Sequence, residues 1–183
     1  MASTSSPRSN RWAATAAGAL LAVLVVTILW FAAYAPETVP SHIGIDGTID
    51  GRSSKSGLLF VVGPLALLIS GGLLLAPLHE AIPLHAWPAP FVFNGAFWIA
   101  EDRTDFLRKE MIEYLHILSG LSSALFSSAL WMSWFESTGR TVPSTIPPMV
   151  FASLAALLAA ATVRHYLRLR PSEWSPDEST ESD

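Results

Sequence analysis

Four long apolar runs with almost no charged residues constrain this chain more than any other feature. They cover residues 12–35, 57–78, 117–135 and 147–167, and only the fourth contains a formal charge, Arg164 near its end. A helix needs about 20 apolar residues to cross a bilayer, so each run is long enough. Charged residues make up 14% of the chain, against about 25% in soluble proteins. We therefore predict an all-α membrane protein with four transmembrane helices and a short ordered extracytoplasmic loop.

The first run has a competing interpretation as a secretory signal, because two arginines precede it and residues 33–35 resemble a cleavage site. Its apolar core, however, exceeds the ~7–15 residues of a signal peptide, and Pro36 would follow the cut directly, where it disfavours cleavage. We therefore predict a retained helix.

The third run has an amphipathic lead-in, in which apolar residues at helical spacing alternate with Arg108, Lys109, Glu110 and Glu113. One continuous helix over residues 104–135 would be about 48 Å long, longer than a bilayer is thick, so its first turns are expected to project into the cytoplasm. The fourth run begins with two prolines, which suit the first turn of a helix.

The distribution of Lys and Arg predicts the orientation. With the N-terminus inside, eight of the 11 basic residues lie on the inner side and three on the outer, which favours cytoplasmic termini in a multi-pass protein of the cell membrane. The chain then divides into a cytoplasmic leader, 1–11, expected to be disordered; a three-helix region, 12–135, with outer loop 36–56 and inner connection 79–110; a fourth helix with its preceding loop, 136–170; and a disordered acidic tail, 171–183.

The insert at residues 36–55 is the stretch with the most specific polar pattern. The pattern consists of the polar and turn-forming residues Pro40, His42, Gly47, Asp50, Ser54 and Lys55. A second pattern in the inner connection contains Asn94, Phe97, Trp98, Ala100, Glu101 and Arg103. Together they resemble the membrane family named domain of unknown function 1648, including its SdpI-like toxin-immunity members, over about residues 15–130. Ile43 and Gly44 depart from the family pattern, which has an aromatic residue and Asn there.

Two interpretations of the insert remain open. His42, Asp46 and Asp50 are suitable ligands for a divalent metal or suitable groups for sensing protons. Alternatively, His42 and Asp50 cap turns, and Lys55 pairs with a carboxylate or a lipid phosphate. Neither ligand count nor geometry is specified by this spacing, so no metal and no cofactor is predicted. Gly44, Gly47 and Gly51 are expected to permit turns with positive φ.

Three further patterns invite other interpretations. His79, Glu80 and His85 lack the spacing of a zinc protease motif, and Pro83 breaks the helix between them. A serine of the third run would need a base to act as a nucleophile, and within the run no carboxylate, Lys or His lies beyond His116 at its inner margin. Small residues at Gly120, Ala124 and Ser128 are matched by others on the fourth run, at Ala152, Ala156 and Ala160; we expect close packing of these helices, including dimerisation as an option.

These observations favour a non-enzymatic membrane protein. The resemblance implies that the outer loop recognises a peptide, toxin, lipid or signal, in an immunity or signalling role, through His42, Gly47, Asp50, Ser54 and Lys55. A cytoplasmic protein partner and a homo-oligomer are further expectations, and nothing in the charge distribution points to nucleic acid. The chain has no Cys, so thiolate chemistry is excluded. The alternative function is a small transporter or an accessory subunit of a transport complex.

Overall fold

A computed structural model describes residues 9–43, 48–75, 94–98, 103–140 and 142–173. Helix α1 (Ser9–Tyr34) leads into strands β1 (Thr38–Ile43) and β2 (Ile49–Ser54), which form an antiparallel hairpin. Helix α2 (Lys55–Leu74), the short helix α3 (Gly95–Trp98) and the helices α4 (Thr104–Ser137) and α5 (Ile146–Arg168) follow, and a 3₁₀ turn (Pro171–Glu173) ends the described part. We call the end of the bundle with the strands the hairpin end, and the other the opposite end.

The prediction of four transmembrane helices is confirmed. Helices α1, α2, α4 and α5 are each long and apolar enough to cross a membrane, and large apolar side chains such as Val26, Phe60 and Met149 lie exposed on their outer faces. A bilayer would cover such faces, because a soluble protein rarely exposes contiguous apolar surface of this extent. The chain is a multi-pass membrane protein. As predicted, Pro147 and Pro148 lie in the first turn of α5.

Helix α4 is the centre of the bundle, since α1, α2 and α5 all pack against it. Two close contacts define this packing near its middle. Ser119 Oγ donates a hydrogen bond of 2.6 Å to the Ser70 carbonyl oxygen on α2, and Gly120 lies against Ala17 and Leu20 on α1. A Cβ at position 120 would be 3.1 Å from Leu20 Cδ1, so a small residue is needed where these helices approach.

The expected pairing of small residues between the third and fourth spans is wrong within the chain, whereas dimerisation through them stays a prediction. Gly120 contacts α1 rather than α5, while Ala152, Ala156 and Ala160 are exposed. The physical reason is that α1 runs parallel to α4 with its own small residue, Ala17, at the level of Gly120. Close packing at Gly120 is correct, but its partner helix was misassigned.

The predicted outer loop is a short β-hairpin. Its register pairs Thr38 with Ser54 and Val39 with Ser53, and it becomes irregular after Pro40. Because proline has no N–H to contribute to a ladder, such an irregularity is expected beside it. The two strands make up most of the predicted loop on either side of residues 44–47, which lie outside the described residues.

A second apolar cluster lies at the opposite end and is formed by Trp98, Leu107, Met111 and Leu169, all almost fully buried. It joins α3, the first turns of α4 and the residue after α5. Helix α4 is continuous from Thr104 to Ser137, as predicted, but its charged lead-in is not a solvated face throughout. Glu113 is 2% exposed, because an arginine of α5 lies against it.

Candidate functional site

The hairpin is fixed to the bundle by apolar burial and one hydrogen bond. Val39 is fully buried in a cluster with Phe31, Ala35 and Leu130. Beside it, Ser133 Oγ of α4 donates a hydrogen bond of 2.8 Å to the Pro40 carbonyl oxygen. Two short strands are marginally stable alone, so these contacts with the helices are what hold the hairpin in one position.

The side chains of His42 and Asp50 meet on the exposed side of this hairpin. His42 Nδ1 and Asp50 Oδ1 are in hydrogen-bonding contact, and the side chains are 69% and 58% exposed. They come from opposite strands, since His42 pairs with Gly51, the residue after Asp50. The hairpin thus brings together two of the predicted site residues as a polar pair open to ligands.

Gly51 makes this arrangement fit, for a reason other than the one expected from the sequence. It lies in β2 rather than in a turn, and among the described glycines only Gly139 has a positive φ. A Cβ at position 51 would be 3.3 Å from His42 Cβ and 3.2 Å from Ser41 Oγ. The absence of a side chain therefore lets β1 approach and sets the position of His42.

The other predicted loop residues lie at the base of the hairpin. Ser54 is the N-cap of α2, where its Oγ accepts a hydrogen bond of 3.1 Å from the Gly57 backbone N–H. Lys55 Nζ is 3.3 Å from Glu37 Oε1, and the Lys55 backbone N–H donates to the Glu37 carbonyl oxygen at 2.8 Å. The structure therefore agrees with carboxylate pairing for Lys55. Gly47 lies outside the described residues.

The described part of the chain contains no cluster of three or more His, Cys, Asp or Glu side chains that could hold a metal ion. His42 and Asp50 contribute two such groups, and Asp46, the third ligand considered, is outside the described residues, as are His79, Glu80 and His85. The arrangement seen is suited to hydrogen bonding: an imidazole beside a carboxylate offers a donor and acceptor pair to a polar ligand.

The residues of the inner motif hold the end of α5. Trp98 Nε1 donates a hydrogen bond of 3.0 Å to the Leu169 carbonyl oxygen, and Asn94 Nδ2 lies 3.4 Å from the same oxygen. Arg103 donates to the Phe97 carbonyl oxygen at 3.2 Å and stacks over the Phe97 ring at 4.1 Å. The four predicted residues thus form one assembly, which supports a carbonyl that helix α5 leaves unpaired.

Sequence reasoning missed a polar connection between α4 and α5. Arg164 Nη2 lies 2.6 Å from Glu113 Oε1, the Tyr114 ring stacks on the His165 ring with centroids 4.3 Å apart, and Tyr114 and Thr162 hydroxyls are 2.9 Å apart. The sequence signal that could have found this connection is the short link between the two helices. A short link makes α4 and α5 antiparallel neighbours, so the charged residues before the third run lie beside those at the end of the fourth.

Comparison with known proteins finds a similarity that includes the hairpin. Residues 19–66 match the family model described as Domain of unknown function (DUF1648), which confirms the resemblance to that family based on the insert. No curated protein and no solved structure shows a significant match. The matched segment runs from α1 through both strands into α2 and includes His42, Asp50, Ser54 and Lys55. Residues 19–66 are therefore similar to DUF1648, and in this chain that segment is part of a bundle of four helices long and apolar enough to span a membrane.

Proposed function

We propose that the chain is a non-enzymatic receptor of the cell membrane whose hairpin binds a peptide or peptide toxin outside the cell. The observation that carries the proposal is the exposed His42–Asp50 pair on a hairpin that the buried Val39 and the Ser133–Pro40 hydrogen bond hold in place. A fixed platform reduces the entropy lost on binding. An immunity or signalling role of the SdpI-like kind follows if binding neutralises or reports the peptide.

The orientation with the hairpin outside is part of the same proposal. It rests on the excess of basic residues at the opposite end, where Arg103, Arg108 and Lys109 precede or begin α4 and Arg164 and Arg168 end α5. At the hairpin end, Trp30 stacks on Trp131 with ring centroids 4.7 Å apart. Aromatic rings of this kind are favoured at both membrane interfaces, so the hairpin would stand at a surface of the bilayer, and the basic residues at the opposite end make that surface the outer one.

The first test changes both exposed groups, as His42→Ala with Asp50→Ala. Peptides selected from a displayed library against the wild-type protein in nanodiscs are expected to bind the double variant at least about 30-fold more weakly, since the hydrogen bonds of one carboxylate and one imidazole are lost. Binding is measured by fluorescence anisotropy with the selected peptide.

Arg52→Ala is the matched control, because Arg52 is exposed on the same hairpin outside the His42–Asp50 contact. It is expected to retain binding within a few-fold. Lys55→Ala tests the base of the hairpin separately, since its side chain is only 18% exposed. Equal peptide binding by the wild type and the double variant, with both inserted in the membrane, would contradict the proposed site.

A transport function is the second candidate, and buried hydroxyl groups favour it. Ser70, Ser123 and Ser127 are almost fully buried, and their Oγ atoms have no hydrogen-bond partner in the described structure. A buried hydroxyl without a partner costs about 1–3 kcal/mol, and water is a suitable partner in a polar site. The candidate is a small transporter, or an accessory subunit of one, with a hydrated path beside α4.

This candidate predicts that Ser123→Cys reacts with a small water-soluble methanethiosulfonate reagent, because only a hydrated thiol forms the reactive thiolate. The absence of native Cys makes labelling specific. Ser41→Cys is the exposed control and should react, while Ala156→Cys, exposed on the outer face of α5, should remain unlabelled in hydrocarbon. An unreactive Ser123→Cys would contradict a hydrated path.

A further inference from the structure

A groove of about 440 Å³ lies between α1 and α5 in the half of the bundle nearer the opposite end, with α4 as its floor. Its volume is typical of a small-molecule site. The groove exists because α1 and α5 both pack on α4 rather than closely on each other. Small residues widen it on all three sides, namely Ala17 on α1, Gly120 on α4 and Ala160 on α5.

The walls change in character along the groove. Its deeper end is purely apolar, with Leu20, Leu121 and Leu157, whereas His116 and Arg164 line the end nearer the bundle terminus. Trp12, which is 53% exposed, stands beside this polar end. A slot that is apolar along most of its length and cationic at one end matches an amphiphile with an anionic head.

Charge at the polar end is favourable for an anion. The walls α1 and α5 carry Arg11, Arg164 and Arg168 at this end and contain no acidic residue in their described helices. The floor α4 supplies Glu113 and Glu110, which pair with Arg164 and Arg168, so Arg11 is the excess cation of this set. Arg164 is 41% exposed and contacts Glu113 through one nitrogen, while a guanidinium has five N–H donors. It therefore has the capacity to hold Glu113 and to donate to a phosphate at the same time.

The occupant must also suit the surroundings of the groove. Exposed apolar side chains flank it on α1 and α5, among them Val163 and Val23, so it faces the hydrocarbon of a bilayer. An extended peptide there would leave backbone N–H and C=O groups unsatisfied at a cost of several kcal/mol each in lipid, but an acyl chain has no such groups. This argument favours a lipid over a peptide.

We propose that the groove binds an anionic glycerophospholipid, with an acyl chain against Gly120 and Ala160 and the phosphate at Arg164. The site is distinct from the hairpin and does not depend on what the hairpin recognises. A lipid in this position would fill the space between α1 and α5 and so stabilise the attachment of α5, which is otherwise exposed along most of its length.

The first experiment compares two lipids with identical acyl chains, phosphatidylglycerol and phosphatidylcholine, added to the purified full chain in detergent. Phosphatidylglycerol at about 100 times its dissociation constant is expected to raise the midpoint of thermal unfolding by about 5–10 °C, and phosphatidylcholine much less. Equal stabilisation by both lipids would overturn the proposal, because it would show that the groove takes bulk lipid without regard to charge.

Variants then locate the effect. Ala160→Phe fills the groove from α5, and Ala156→Phe adds the same bulk one turn away, outside the groove. The phosphatidylglycerol shift should disappear in the first and persist in the second. A double variant, Glu113→Gln with Arg164→Gln, removes the cation without leaving a buried charge, and should lose the preference for phosphatidylglycerol. A shift that survives in Ala160→Phe, or a preference for phosphatidylglycerol that survives in the double variant, places the lipid elsewhere.

A wild-type measurement keeps the test valid if a variant fails to fold. Phosphatidylglycerol with a photoreactive diazirine in its acyl chain should label peptides that contain Gly120 or Ala160, identified by mass spectrometry. Excess unlabelled phosphatidylglycerol should suppress this labelling and phosphatidylcholine should not. Labelling spread evenly over the exposed faces of all four helices, or suppressed equally by both lipids, would reject a specific site.

Discussion

Replacing Trp98 with alanine is expected to lower the free energy of unfolding by about 3–5 kcal/mol, as is typical when a large buried aromatic residue is removed. Trp98 is fully buried, stacks on Phe106 with centroids 5.2 Å apart, and donates its indole N–H to the Leu169 carbonyl oxygen. The alanine variant loses the packing and this bond together. Unfolding of the detergent-solubilised protein, followed by circular dichroism, measures the loss.

Two controls separate the contributions at this position. Trp98→Phe keeps most of the apolar volume and removes the indole donor, so we expect a smaller loss of about 1 kcal/mol. Trp131→Ala removes a tryptophan that is 37% exposed at the hairpin end. Amide exchange near Leu169 should accelerate in Trp98→Ala and remain unchanged in Trp131→Ala. Unchanged exchange in both would contradict the proposed support of α5 by the inner motif.

Hydrophobic pattern was sufficient to predict the four helices of this fold. The apolar runs at 12–35 and 147–167 appear as α1 and α5 with ends shifted by a few residues, because a bilayer requires long helices and the sequence satisfies this requirement locally. The continuous α4 was predicted for the same reason, since Leu107, Met111 and Leu115 continue the helical spacing outside the span.

The helix partners could not be predicted in the same way. Small residues at four-residue spacing occur on both α4 and α5, and the pattern alone does not say which helix meets Gly120. Ala17 of α1 does so, because α1 and α4 run parallel and their small residues reach the same level. Such a choice depends on the packing of all four helices at once, which is not encoded in any single run.

The residues of the candidate site could be predicted from the sequence, but the structural role of each could be predicted only in part. Spacing within the insert identified His42 and Asp50, but the short strands that bring them together have weak local signals, since Pro40 and Gly51 are both unfavourable in a strand. Packing against α4 overrides that preference. Ser54 and Lys55 could be assigned to the hairpin base only once the start of α2 at Lys55 was known.

The second large effect is expected at the ion pair between α4 and α5, and it should be asymmetric. Arg164→Gln leaves the Glu113 carboxylate, 2% exposed, without its cation, and should cost about 3–5 kcal/mol. Glu113→Gln leaves Arg164, which is 41% exposed and free to be hydrated, so the loss should be about 1 kcal/mol or less. Unfolding in mixed detergent micelles measures both.

The double variant decides whether burial of the charge is the cause. With Glu113→Gln and Arg164→Gln together, no ionised group is left buried, so stability should recover most of what Arg164→Gln alone loses, giving a coupling energy between the two positions. Additive losses would mean that Arg164 acts through its packing against α4 instead. Equal losses in the free energy of unfolding for the two single variants would contradict the asymmetry. They would mean that losing its partner destabilises the protein as much for the exposed arginine as for the buried carboxylate.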